Sequence, residues 1–196
     1  MRRFYRTLGA TVACVTTQQL TVRPGGFDPT VLYAITFAPQ GEPVRLPGDL
    51  ERLPARQGGQ TGLFFDVRHQ FRLVEIASEN QRPVWRVSTV SYQYRVLDTR
   101  QQELLVWHWQ PGEEFDGPDR PHLHVSAELI AGPSPHDPTQ PIVFDLDNVH
   151  LATGRVTVEA VVRTLIEDFH VKPIGLWEQV LDRAEEDFHT EATQHP

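Results

Sequence analysis

The 196-residue sequence predicts an α+β fold: a mainly antiparallel β-sheet with two C-terminal α-helices packed on one face. Three observations predict it. Through most of residues 12–129, apolar and polar residues alternate between clusters of Pro, Gly, Gln and Asp. A period of two is that of a strand with one buried face. Residues 84–97 and 103–109 flank the turn Asp98-Thr99-Arg100-Gln101, as the two arms of a hairpin do. After Thr157 the apolar spacing changes to three and four, the spacing of a helix.

Taken in order, residues 12–22 are rich in Thr and Val and read as a first strand, ended by Pro24-Gly25-Gly26. Residues 31–37 read as a second. Residues 41–61 are dense in Pro, Gly and Gln and read as loop, with a short helical turn over 49–53. Residues 62–67 and 71–76 read as two strands, with a solvated His69 in the tight turn between them. Residues 84–97 form a long strand. Alternation places Val90, Tyr92, Tyr94 and Val96 on one face and Trp85, Val87, Thr89 and Leu97 on the other. Residues 103–109 are apolar on both sides, as a central strand is. An acidic turn over 111–121 leads into a short strand over 122–129, and three prolines with Gly132 make 131–141 a loop. Thr157 is a helix N-cap, followed by the stripe Val158, Val161, Val162, Leu165, Ile166 and Phe169. Pro173 and Gly175 break that helix, and residues 176–188 form the next, with Leu176, Trp177, Val180, Leu181, Ala184 and Phe188 on its apolar side. The chain reads as a single domain over 1–196, with a β-rich part at 1–83 and the hairpin, His-rich strand and helices at 84–196.

Composition narrows the function classes. A hydrophobic fraction of 39% lies above that of a disordered chain. No apolar run approaches the roughly 20 residues that span a bilayer. Residues 7–15 are too short, and too broken by Gly9 and threonines, for a signal-peptide core. Cys14 is the single cysteine, which excludes an internal disulfide and a CxxC knuckle. A cytoplasmic protein without membrane attachment is expected. The net charge is −8, and from Arg155 onward nine acids face four bases, a net of −5. Bulk electrostatics therefore disfavour RNA as a partner, although Arg2, Arg3, Arg6 and Arg23 meet no acid before Asp28 and form a local basic patch. Lys172 is the only lysine among the 18 basic residues, so no single Arg is read as a phosphate clamp on residue type alone.

The chemistry concentrates in Pro121-His122-Leu123-His124-Val125. Two imidazoles one residue apart in a strand project to the same side. Of the nine histidines, His108, His122, His124, His136 and His150 crowd one stretch, whereas His170 ends a helix, where its charge suits the dipole, and His189 and His195 belong to the tail. Three readings compete. A zinc or iron centre would take His122, His124 and His136, with His108, His150, Asp116 or Asp119 as other donors. A metal-independent endoribonuclease, needing no cofactor, would use His122, His124 and His150 as acid and base, with Arg155 steadying phosphate charge and Arg120, Tyr92 and Tyr94 holding the RNA. In the third reading the imidazoles bond locally, and the chain is a binding module that recruits a protein partner through strand edges and the 41–61 loop. His124-Val125-Ser126 matches only half of a paired H-x-[ST] signature, and Walker, Rossmann and GxSxG motifs are absent.

From Trp85 onward the order of features resembles the TumE-type toxins of bacterial toxin–antitoxin modules. It is carried by Tyr92-Gln93-Tyr94, the hairpin partner at 104–109, Phe115-Asp116-Gly117, Pro121 to His124, and the amphipathic segment 156–170. This chain has Val106-Trp107-His108-Trp109 where that family carries an Arg-Tyr-Asp-Asn run, and about 80 further N-terminal residues. The resemblance implies a growth-inhibiting, RNA-directed activity and a partner antitoxin. Residues 150–177 also resemble proteins of high-GC bacteria that have no assigned activity.

Overall fold

The computed structural model describes residues 1–38, 41–48, 62–79, 82–112, 118–133, 139, 141–147 and 149–192. In chain order the elements are α1 (Arg2–Val12), β1 (Leu20–Arg23), β2 (Tyr33–Phe37), β3 (Val44–Arg45), β4 (Phe64–Glu79), β5 (Arg82–Leu97) and β6 (Glu103–Trp109). There follow β7 (His122–Val125), β8 (Glu128–Pro133), β9 (Pro141–Asp145), β10 (Leu151–Ala152), α2 (Val158–Glu167) and α3 (Trp177–Ala192). The main sheet runs β1-β2-β4-β5-β6-β7-β10, with β3 paired to the start of β4, while β8 and β9 form a separate ribbon. Every pairing is antiparallel. The fold is α+β, mainly antiparallel sheet, with α2 and α3 at the C-terminal end.

The core lies between one sheet face and the helices. Phe65, Val67, Phe71 and Leu73 of β4, Tyr92, Tyr94 and Val96 of β5 and Trp107 of β6 meet Val158, Val161, Val162, Leu165 and Ile166 of α2 there. These α2 residues are the apolar stripe read from the sequence. Their helix starts where Thr157 accepts the Ala160 N–H on its side-chain oxygen at 3.3 Å. His170 falls beyond Glu167, the last residue of α2, in left-handed backbone with φ 54°, rather than within the helix's final turn.

A third helix, α1, precedes the expected first strand and takes its first residue, Val12. Phe4, Leu8 and Val12, four residues apart, put one stripe into the core. Thr11, one residue before the expected strand, sits inside the helix, its hydroxyl donating back to the Thr7 carbonyl at 2.9 Å. The strand itself starts only at Leu20. Nor is the N-terminal basic patch without an acid: Arg3 pairs with Asp187 of α3, which also accepts from the Thr7 hydroxyl at 2.9 Å.

Residues 64–79 are one strand, not two with a turn at His69. The polar run Arg68-His69-Gln70 mimics a turn, but alternation continues through it. His69 points into the core, 6% exposed, and is not solvated. The face assignment along β5 also changes. Gln70 pairs with Ser91 and Phe71 with Thr89, so Val90 is an extra residue, a β-bulge. Across it the inward set switches from Tyr92, Tyr94 and Val96 to Thr89, Val87 and Trp85. Accordingly Thr89 bonds to His69 and Trp85 and Val87 pack on the core. Strand β7 stops at Val125 rather than at residue 129, and β8 carries residues 131–133, read from sequence as loop. The expected turn at 49–53, together with Asp116, His136 and His195, lies outside the described residues. No helix among the described residues is long and apolar enough to cross a membrane.

Candidate metal centre

Register assembles the site. His108 of β6 pairs with His122 of β7, and His124 pairs with Val106. Cross-strand partners share a face, so His108, His122 and His124 project together. Tyr92 pairs with Trp109 and Gln93 with His108, which puts the tyrosines on the helix-covered face and the histidines on the other. From the edge strand side, Ala152 of β10 pairs with His122, and His150 arrives just before it.

The rings converge. Ring centres of His122 and His124 are 4.8 Å apart, of His108 and His122 5.1 Å, of His124 and His150 4.5 Å, and of His122 and His150 4.9 Å. The ligand nitrogens of His108, His122 and His124 all lie within 4.8 Å of one another. His122 is buried at 2% exposure, His108 and His124 are half-buried, and His150 is exposed, so the cluster has a closed floor and an open mouth.

Hydrogen bonds set the tautomers. His122 Nδ1 donates to the Arg120 carbonyl at 2.8 Å, which leaves its Nε2 lone pair facing His124 Nε2, 3.0 Å away. His108 Nε2 donates to Gln110 Oε1 at 2.7 Å, leaving the lone pair on Nδ1. A ring nitrogen tied to a backbone carbonyl or amide oxygen while the other stays free is the usual outer shell of a metal-binding histidine. Burial, and then the neighbouring imidazoles His122, His150 and His108, hold the pKa of His124 below its ordinary value. Burial is also the largest cause at His108, where the Gln110 bond opposes it and His122 and His150 add to it. Both therefore favour the neutral, ligating form near pH 7.

The other candidates fall elsewhere. Tyr94 is fully buried and bonded to His69 Nδ1 at 2.8 Å, and the Tyr92 hydroxyl accepts the Val156 N–H at 2.9 Å. Arg155 stacks over Trp109, 4.2 Å from the ring centre, on that same helix-side face. Arg120 contributes its carbonyl, and Asp119 accepts from Gly112 N at 3.2 Å. Gln110 was not singled out by sequence reasoning, although its two-residue offset from His108 signals the shared face. Asp66 and Arg95 were missed as well. On the histidine side of the sheet, Asp66 is buried and takes Arg95 Nε at 2.8 Å, with Arg68 Nε 3.4 Å away. Comparison with family models, curated proteins and solved structures gave no match.

Proposed function

We propose that this chain is a metal-binding protein whose centre is His108, His122 and His124, with His150 at its mouth, and whose ion is zinc or iron. The observation that supports it is the approach of three ligand nitrogens to within 4.8 Å of one another. Around zinc with bonds of about 2.0–2.1 Å, tetrahedral ligand nitrogens stand roughly 3.3 Å apart. The His122–His124 pair, at 3.0 Å, is already near that spacing. The widest pair must close by about 1.5 Å at most, within reach of side-chain rotation. An all-imidazole donor set suits zinc, iron, copper or nickel and not magnesium or calcium.

The test is zinc titration of untagged, chelator-stripped protein, followed by calorimetry and thermal unfolding. One zinc per chain is expected. Zinc at a hundredfold its Kd adds about 2.7 kcal/mol, which raises Tm by about 5–10 °C in a chain of this length. Protein that binds no stoichiometric zinc, with an unchanged Tm, refutes the proposal.

The 3.0 Å contact between His122 Nε2 and His124 Nε2 also favours a second reading. One ring donates and the other accepts, a ready acid–base pair, so the chain would be an RNA-cleaving toxin held in check by an antitoxin. In this reading Arg120 and Arg68 remain to meet phosphate, because Tyr92, Tyr94 and Arg155 lie across the sheet. Growth inhibition that persists in His124→Ala removes it. RNA cleavage that survives chelation favours it over the metal centre.

A further inference from the structure

We infer that the metal held by the histidines takes an oxyanion, a phosphoryl or carboxylate group, as its remaining ligand, and that Arg68 grips the far side of that anion. The inference rests on the metal reading and extends it to a ligand class.

Charge is the first ground. The group His108, His122 and His124 contains no carboxylate. Imidazole ligands are neutral, so a dication bound there keeps its whole charge in a partly dry hollow, and an anion is the ligand that relieves it. The two carboxylates beside that row face arginines: Glu103 accepts from Arg95 at 3.1 Å, and Asp66 accepts from Arg95 through Oδ2, with Arg68 Nε 3.4 Å from the same oxygen.

Register is the second ground. Arg68 pairs with Gln93, Gln93 with His108 and His108 with His122, which makes one row across four neighbouring strands of a single face. At about 4.8 Å per strand, Arg68 and His108 are separated by about 10 Å of backbone, a gap that an extended arginine and an anion between them fill. The Gln93 amide lies beneath that gap and offers a further donor.

Availability is the third. The Arg68 side chain is 54% exposed, and its contact with Asp66 spans 3.4 Å. Arg95 already donates to Asp66 Oδ2 through Nε and a second guanidinium nitrogen, so that oxygen stays paired when Arg68 swings to an incoming anion.

The experiment uses the full chain loaded with zinc, and calorimetry with inorganic phosphate and, separately, acetate. Phosphate should bind the zinc-loaded protein and not the stripped protein. Arg68→Ala should weaken it at least tenfold while zinc affinity stays within twofold, and Arg68→Lys should recover part of the loss. Tighter phosphate than acetate assigns a phosphoryl ligand, and the reverse assigns a carboxylate. Equal phosphate affinity with and without zinc, or in Arg68→Ala and the unaltered chain, overturns the inference. A chain that takes zinc but neither anion overturns this inference alone, whereas one that takes no zinc overturns the metal reading as well.

Discussion

Replacing His69 by Gln removes a histidine that the fold keeps neutral. Its Nδ1 lies 2.8 Å from the Tyr94 hydroxyl, its Nε2 3.1 Å from the Thr89 hydroxyl, and the Phe4 ring packs 5.3 Å away. Burial pushes its pKa down from 6.5 to about 4. The unfolded chain therefore takes up a proton as pH falls through 6.5, while the folded chain does not until about 4. Stability is whole above pH 6.5, declines as pH drops through that window, and levels off below 4. At about 1.4 kcal/mol per pH unit, the loss reaches about 2.5 kcal/mol by pH 4.5. Tyr92 and Tyr94, whose phenols burial holds above their ordinary value, stay protonated throughout and do not mask the effect. The depressed His108 and His124 titrate alike in both proteins and cancel in the difference. The assay is urea unfolding followed by circular dichroism at pH 7.5, 6.5, 5.5 and 4.5. His69→Gln should start about 1–2 kcal/mol less stable at pH 7.5, from its altered buried hydrogen bonds, and lose about 2.5 kcal/mol less than the unaltered chain on going to pH 4.5. Parallel pH profiles for the two proteins would refute the argument.

Gly62 has φ 58°, and a Cβ there would meet Thr99 Cγ2 at 2.6 Å. Gly62→Ala should cost about 1–3 kcal/mol in urea unfolding, part of it recovered by adding Thr99→Ser, and a loss below about 0.5 kcal/mol would contradict the close approach. Thr157→Ala removes the α2 cap and should lower stability by about 1 kcal/mol in the same assay. Arg155→Ala gives up the contact with Trp109, about 0.5–1 kcal/mol, while zinc affinity measured by calorimetry stays within twofold because that stack lies on the helix side of the sheet. A tenfold weaker zinc affinity would show that the two faces are coupled.

Local signals reached the features that depend on local chemistry. The bounds of β6, the cap at Thr157 and the stripe of α2 follow from periodicity and one capping side chain, and all three are visible in a dozen residues. That His122 and His124 point the same way is likewise a matter of counting by two. Whether Tyr92 joins them depends on which residue of β5 faces His108, a register that shifts between Val96 and Leu97 beside the turn and that neither strand's own alternation reveals. In the same way α1 hid behind its threonines, because its apolar residues are few and its partners, α2 and α3, come some 150 residues later. Gln110 and the Arg120 carbonyl escaped notice since neither is a titrating group. Their role emerges only once His108 and His122 have lone pairs to aim.

The unpaired Val90 carries a lesson about insertions and deletions. Erasing that one codon would bring Thr89 and Tyr92 two positions apart, so that Trp85, Val87, Thr89, Tyr92, Tyr94 and Val96 fall into one unbroken alternation. Both halves would keep their large side chains inward, whereas losing a residue well inside either half would turn part of the inward set toward water. A lost codon should therefore be borne best at Val90 and be rare along the rest of the strand.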